Sequence, residues 1–93
     1  MISIVRLISV ARYFFDTRDN DRVIADDVGI ELPSFEQVKI EATRSLAELA
    51  LDVLPGSYHR CLGVDVRNEA NQLILSTELA FEARERGEHA QIC

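Results

Sequence analysis

Acidic side chains crowd the first part of the chain in a pattern that first suggests a cation site. The twelve residues from 16 to 27 contain Asp16, Asp19, Asp21, Asp26 and Asp27. An EF-hand calcium loop needs a glycine after the third ligand position and a glutamate at its end. Arg22 and Val23 follow Asp21 instead, so the EF-hand pattern fails. We interpret the five carboxylates as belonging to two polar turns, since aspartate readily bonds nearby main-chain groups.

Catalytic residue types are present but lack the spacing of a known catalytic motif. Tyr58-His59-Arg60 forms a short polar stretch after the central helix. A lone histidine in a connection is far more often solvent-exposed than catalytic. The serines lack a nucleophile-elbow context, and the chain has no glycine-rich phosphate loop. Because an enzyme needs several groups that converge on a pocket, we expect no enzymatic activity.

Cys61 and Cys93 are the only cysteines, and the two histidines stand far apart in the sequence. This spacing gives neither a zinc motif nor a disulfide framework. Cys61 begins a strand-like run and is predicted to be a small buried hydrophobe. We therefore expect no metal and no cofactor, and a reducing, cytoplasmic setting.

The chain is acidic, with a formal net charge of −6 over 93 residues. A nucleic-acid binder usually carries a basic stripe. Arg12, Arg18 and Arg22 lie around the first predicted hairpin, but aspartates are interleaved with them and cancel a basic patch. The charge thus disfavours nucleic acid and remains compatible with a basic protein partner.

The longest helical pattern spans residues 34–54, and the other elements must be arranged around it. Apolar residues recur there at steps of three and four, which produces one stripe along a helix. The stripe is Phe35, Val38, Ala42, Leu46, Leu49 and Val53. One helix cannot hide such a stripe alone, so we expect a sheet to cover it. Leu46 and Leu49 are predicted to be core residues.

Local signals mark both ends of this helix. Ser34 is a predicted N-cap, and Gln37 three residues later completes a capping box. Pro55-Gly56 is predicted to end the helix. In the turn before the helix, Gly29 is predicted to adopt a positive φ.

Four strands are predicted, two on each side of the helix. Residues 12–16 and 22–25 form the first hairpin, and residues 61–67 and 72–77 form the second. A short polar helix is predicted over residues 78–89. The order is β-β-α-β-β, an α+β two-layer domain with an antiparallel sheet and the helix on one face.

The chain divides into an N-terminal extension (residues 1–11), one α+β domain (12–79) and a polar C-terminal tail (80–93). The extension is apolar but far short of the roughly 20 residues that span a bilayer, and it lacks the pattern of a signal peptide. We expect no membrane role. The sheet face away from the helix, with Phe14 and Ile74, is expected to be partly apolar and to meet a partner.

Several motifs together resemble a known family. They are Arg12-Tyr13-Phe14-Phe15, Asp26 with Gly29 and Leu32, Glu41-Ala42, and a closing run through Val64, Val66, Glu69 and Leu73. In this order and spacing, over about residues 12–79, the chain resembles a family of short bacterial proteins described as a domain of unknown function, DUF6894. The resemblance implies no activity, cofactor or catalytic residue. A weaker, fold-level similarity links the chain to antitoxin modules of the HicB type.

Two functions follow as hypotheses. The first is a small non-enzymatic protein-interaction or regulatory module that forms a homodimer. The second is an antitoxin-like (HicB-type) or RNA-associated regulator. For the first, the predicted self-association residues are Ile4, Leu7, Ile8, Val10 and Phe14. Deleting residues 1–10 is expected to leave a folded domain and to weaken self-association.

Overall fold

The computed structural model describes residues 9–86, in which five strands and one α-helix form a two-layer α+β domain. The strands are β1 (Ala11–Asp19), β2 (Arg22–Ile24), β3 (Ile30–Leu32), β4 (His59–Arg67) and β5 (Leu73–Glu82). The helix α1 (Phe35–Val53) lies between β3 and β4 in the chain, and one 3₁₀ turn (Leu54–Gly56) follows it. The predicted fold class is therefore confirmed.

The ends of α1 follow the local signals. Ser34 has an extended backbone, and its side chain accepts a hydrogen bond from the Gln37 main-chain N–H at 3.2 Å. This bond satisfies one of the N–H groups that a helix start leaves unpaired. At the other end the chain tightens into the 3₁₀ turn, which contains Pro55.

The sheet is antiparallel, in the order β2-β1-β4-β5, and β3 also pairs with β1. β2 pairs with the C-terminal end of β1 and β3 with its N-terminal end, so the two short strands share one edge of β1. The sequence pattern did not predict β3, because three residues carry too little alternation to mark a strand. At the other edge, β5 pairs with β4 along almost its whole length.

The core lies between α1 and the central strands. Its buried members are Phe15, Val38, Ala42, Val64 and Val66. Leu46 is half-buried and packs against this cluster, and Leu49 is half-buried as well. Phe35, predicted to lie on the buried stripe, is the first residue of α1 and is 53% exposed, so the buried stripe begins at Val38.

The C-terminal part of the domain corrects one prediction. β5 continues to Glu82, where a helix was expected from Glu78. The ladder extends one residue further, because the N–H of Ala83 donates to the carbonyl of Tyr58 at 2.8 Å. Alternate residues of the strand, Leu79 and Phe81, are half-buried, and this packing together with pairing to β4 outweighs the local helix preference of the segment.

Candidate functional site

The sheet face away from α1 is charged, which corrects the prediction that it is partly apolar. Two ion pairs cross it from β1 to β4. Arg67 Nε donates to Asp16 Oδ2 at 2.8 Å, and Arg18 Nε donates to Asp65 Oδ2 at 2.8 Å. In each pair the two positions are diagonal neighbours of the β1–β4 register, close enough for a long arginine side chain to bridge.

Gly63 makes room for one of these pairs. It stands directly opposite Arg18 in the register, and a Cβ at this position would collide with the Arg18 guanidinium. Without a side chain there, Arg18 lies flat across β4 and its Nη2 also donates to the Thr77 carbonyl at 3.2 Å. Asp65 and a β5 carbonyl thus hold the same guanidinium, which ties three strands together.

The two apolar residues assigned to this face do not form an open patch. The guanidinium of Arg67 lies 5.1 Å from the centroid of the Phe14 ring, a cation–π distance. Ile74 packs against the core cluster instead, because the β4–β5 ladder shifts register between Val66 and Arg67 and turns the strand locally. Phe14 is accordingly half-buried.

Asp26 organises the edge of the sheet between β2 and β3. Its carboxylate accepts three main-chain hydrogen bonds, from Phe15 at 3.0 Å, Val28 at 3.0 Å and Gly29 at 3.1 Å. The Phe15 N–H faces the gap where β1 has neither β2 nor β3 beside it. The side chain of Asp26 therefore replaces a strand partner at this point.

A neighbouring carboxylate and one arginine complete the arrangement around Asp26. The main-chain N–H of Asp26 donates to Asp16 at 2.9 Å, and Arg67 donates both to Asp16 and to the Asp26 carbonyl. The hydrogen bond from Arg67 lowers the pKa of Asp16 despite partial burial. Burial alone would raise the pKa of Asp26, but the three main-chain N–H groups and the Arg67 charge outweigh it, so the pKa of Asp26 is lowered. Both carboxylates therefore stay ionised and act as hydrogen-bond acceptors.

Gly29 closes the same turn with φ of 77°, the left-handed value that the sequence predicts. A Cβ here would lie 2.8 Å from the Tyr13 carbonyl oxygen and 2.9 Å from side-chain atoms of Arg12 and Phe14. The turn thus packs closely against the start of β1. Arg12 fastens it further by donating to the Val28 carbonyl at 2.8 Å.

Cys61 differs from its prediction as a buried hydrophobe. It lies half-exposed on the charged face, and its Sγ donates to Glu78 at 3.2 Å. That hydrogen bond and the Glu78 charge raise the pKa of the Cys61 thiol, which makes it a poor nucleophile at neutral pH. His59 and Cys61 line a surface depression of about 330 Å³ that offers no activated nucleophile among the described residues.

Two side chains of the polar stretch after the helix, Tyr58 and Arg60, join separate segments of the chain. Arg60 donates to both carboxylate oxygens of Asp19, at 2.7 and 3.1 Å, and to the Ser57 hydroxyl at 2.7 Å. The bidentate pair joins the end of β1 to the start of β4. Tyr58 donates its hydroxyl to Glu85 at 2.9 Å. Each of these side chains thus fastens one segment to another.

The five clustered aspartates do not converge. Asp16 and Asp19 each bind a different arginine, and Asp26 binds main-chain N–H groups. Within residues 9–86, no group of three or more His, Cys, Asp or Glu side chains is placed to hold a metal ion. The interpretation as turn residues is therefore wrong for Asp16 and Asp19, which lie in β1 and pair with arginines of β4, whereas the other three aspartates lie in the two turns.

An exposed apolar edge is formed by β2 and β3. We call it the hairpin surface: Val23, Ile24, Val28 and Ile30. It includes both faces of the sheet, because Val23 lies opposite Arg18 on the charged face and Ile24 lies opposite Thr17 on the α1 side. The exposed fractions of Val23, Ile24, Val28 and Ile30 are 60, 58, 71 and 39%. These four residues were not among the predicted association residues, although the apolar side chains of the second strand and the following turn were a visible signal in the sequence. Val10, which precedes β1, is 49% exposed, whereas Ile4, Leu7 and Ile8 lie outside the described residues.

The fold and these contacts define a small sheet-and-helix domain with an internally paired polar face. Comparison with family models matches residues 12–80 to a domain of unknown function, DUF6894. The match covers most of the chain, so the chain belongs to the DUF6894 family. Searches of curated proteins and of solved structures found no match. In the described part of the chain, no helix is long and apolar enough to cross a membrane.

Proposed function

We propose that the protein is a small, non-enzymatic module of the cytoplasm that acts by contacting another protein through the hairpin surface. The observation that carries the proposal is the exposure of four large apolar side chains along one edge of a small sheet. Apolar surface that stays in contact with water costs free energy, and a partner that covers it removes that cost.

The shape of this edge favours side-chain contacts over strand pairing. β2 and β3 have three residues each, and the turn held by Asp26 separates them. Short, interrupted edge strands are poor templates for an added strand. We therefore expect the partner to place apolar side chains around this edge, against Ile24 and Ile30 on the α1 side and against Val23 on the charged side.

Charge around the hairpin surface favours one kind of partner. Asp21 and Asp27 are exposed beside it, and the whole chain carries a net charge of −6. An apolar patch with a basic rim complements such a surface. Residues 1–10 precede the N-terminal end of β1, the end that pairs with β3, and we propose that Ile4, Leu7, Ile8 and Val10 add to the contact.

The arrangement of arginines supports a protein partner over a nucleic acid. Arg12, Arg18, Arg60 and Arg67 each form an ion pair with a carboxylate. A phosphate backbone would have to compete with these pairs for the same guanidinium groups. This observation favours the protein-interaction hypothesis over an RNA-associated regulator.

The test compares two matched variants in affinity capture from native lysate, with quantitative mass spectrometry of bound protein and RNA. Ile24→Asp places a charge within the hairpin surface. Leu51→Asp places the same charge at an apolar residue that is 79% exposed on α1. We expect one protein to be retained by the wild type and Leu51→Asp and lost by Ile24→Asp. Equal retention by both variants, or RNA as the main bound species, would refute the proposal.

A further inference from the structure

The strand β5 offers a second association site, at the sheet edge opposite the hairpin surface. It spans ten residues, Leu73–Glu82, and within residues 9–86 its only strand partner is β4. Its outer edge therefore presents main-chain N–H and C=O groups that none of the described strands bonds. A long, regular edge of this kind is a template for an added strand.

The existing hydrogen bonds show which residues point outward. The N–H of Ala83 donates to the Tyr58 carbonyl, which makes this a hydrogen-bonded pair of the ladder. Such pairs alternate with non-hydrogen-bonded ones along antiparallel strands. Four residues of β5 therefore direct their main-chain groups away from β4: Ser76, Glu78, Ala80 and Glu82.

We propose that β5 pairs antiparallel with β5 of a second copy of this chain, about a two-fold axis at Phe81. In this register, residues equally distant from Phe81 face each other. Ala80 faces Glu82 of the second copy, and Glu78 faces Arg84. Arg84 follows the inward-bonded Ala83, so its main-chain groups also point outward, and all four of these residues can bond across the pair. Phe81 meets its own copy at a non-hydrogen-bonded position, where side chains approach most closely.

Charge selects this register among the axes that pass through residues 78–82 of β5. An axis at Ala80 would set Glu78 against Glu82, and an axis at Glu78 or Glu82 would set a glutamate against itself. Like charges directly opposite each other destabilise a sheet. An axis at Leu79 avoids repulsion but gives no opposite-charge pair. The axis at Phe81 gives two Glu78–Arg84 pairs per dimer.

Arg84 can exchange its partner within the chain, Glu82, for Glu78 of the second copy. Its side chain is 63% exposed, and it bonds Glu82 two residues away at 3.1 Å. An exposed pair between such close neighbours in sequence holds the arginine weakly. In the dimer, Glu78 of the second copy would take the place of Glu82.

The resulting dimer has one continuous sheet with both α1 helices on the same face. The axis runs perpendicular to the sheet, as for any symmetric pair of antiparallel edge strands. The two hairpin surfaces then lie at the far ends of the joined sheet, free to bind the partner proposed above. This site is independent of that function, since the two use opposite edges.

Sedimentation velocity of the full chain at about 1–100 μM tests the proposal, since a specific interface of modest strength has a micromolar Kd. We expect a dimer, and Glu78→Arg or Arg84→Glu alone should weaken it at least about tenfold. The double variant, Glu78→Arg with Arg84→Glu, should restore it. Glu48→Arg, an exposed change on α1, is the charge control. A monomer at 100 μM, or no restoration in the double variant, would overturn the proposal.

Two further variants separate strand pairing from other contacts. Ala80→Pro removes an outward N–H and no bond to β4. We therefore expect this variant to be folded by circular dichroism and monomeric by sedimentation velocity. The sequence predicted that deletion of residues 1–10 weakens self-association, whereas pairing through β5 predicts an intact dimer after this deletion, because the paired residues all lie in or directly after β5. A dimer that survives Ala80→Pro, or one that is lost on deletion of residues 1–10, would contradict pairing through β5.

Discussion

The carboxylate of Asp26 accepts a hydrogen bond from the main-chain N–H of Phe15 at 3.0 Å, in the gap between two short edge strands. A side chain thus continues the hydrogen bonding of β1 where no strand lies beside it. The same carboxylate holds the turn that leads to β3. One residue therefore joins the first hairpin to the segment that enters α1.

Replacement of Asp26 by alanine should destabilise the domain. The variant leaves the Phe15, Val28 and Gly29 N–H groups without their acceptor. Loss of charge-assisted hydrogen bonds at a half-buried site should cost about 1–3 kcal/mol of unfolding free energy. Asp27→Ala, at the exposed neighbouring residue, is the control and should stay within about 0.5 kcal/mol. Urea denaturation measures both, and equal midpoints would contradict the role of Asp26.

The hydrogen bonds of Asp16 and Asp26 predict that the folded state loses stability in acid. The pKa values of Asp16 and Asp26 are lowered in the folded protein from an ordinary value of 3.8. The folded state therefore binds fewer protons than the unfolded state, and their contribution is fully present above pH 3.8 and falls as the pH drops through the folded pKa values. We expect thermal unfolding midpoints to fall below about pH 4. Asp26→Asn should show a smaller fall, and an identical pH profile would contradict the assignment.

Gly29 and Gly56 form a matched pair for testing backbone strain. Gly29 has φ of 77° and close neighbours, whereas a Cβ at Gly56 would meet nothing within 4 Å. Gly29→Val should cost more than about 2 kcal/mol, since a β-branched residue is strained at positive φ. Gly56→Val should be close to neutral. Comparable denaturation midpoints for the two variants would show that the turn tolerates a side chain.

The buried stripe of α1 predicts a graded response to truncation. Val38 is fully buried, Leu46 is half-buried against the core, and Leu51 is 79% exposed. Val38→Ala and Leu46→Ala should each cost about 1–3 kcal/mol, and Leu49→Ala should cost less than Leu46→Ala. Leu51→Ala should leave the urea midpoint unchanged. A wild-type urea midpoint for Val38→Ala would show that the buried face of α1 is assigned wrongly.

Local patterns predicted the elements whose signals lie within a few residues. The periodicity of α1, the Ser34 cap and the left-handed Gly29 each depend on short-range chemistry. The extension of β5 to Glu82 was missed because Glu, Leu and Ala favour a helix locally, while pairing with β4 is a long-range effect.

The charged face was harder to predict, because it depends on register. Asp16 and Arg18 alternate on β1, as Asp65 and Arg67 do on β4, but only the alignment of these strands brings opposite charges together. The bulge that turns Ile74 toward the core has no distinctive residue to mark it. The hairpin surface depends on where α1 lies, since the helix covers β4 and β5 far more than β2.

The central claim is that the hairpin surface contacts protein, and a photo-crosslinking amino acid placed at Val23 tests it most directly. Val23 is 60% exposed within the surface, and Leu51, 79% exposed on α1, is the matched control position. In cells that naturally produce the protein, the account predicts one discrete crosslinked protein from position 23 and none from position 51. The same crosslinks from both positions, or none from position 23, would contradict it.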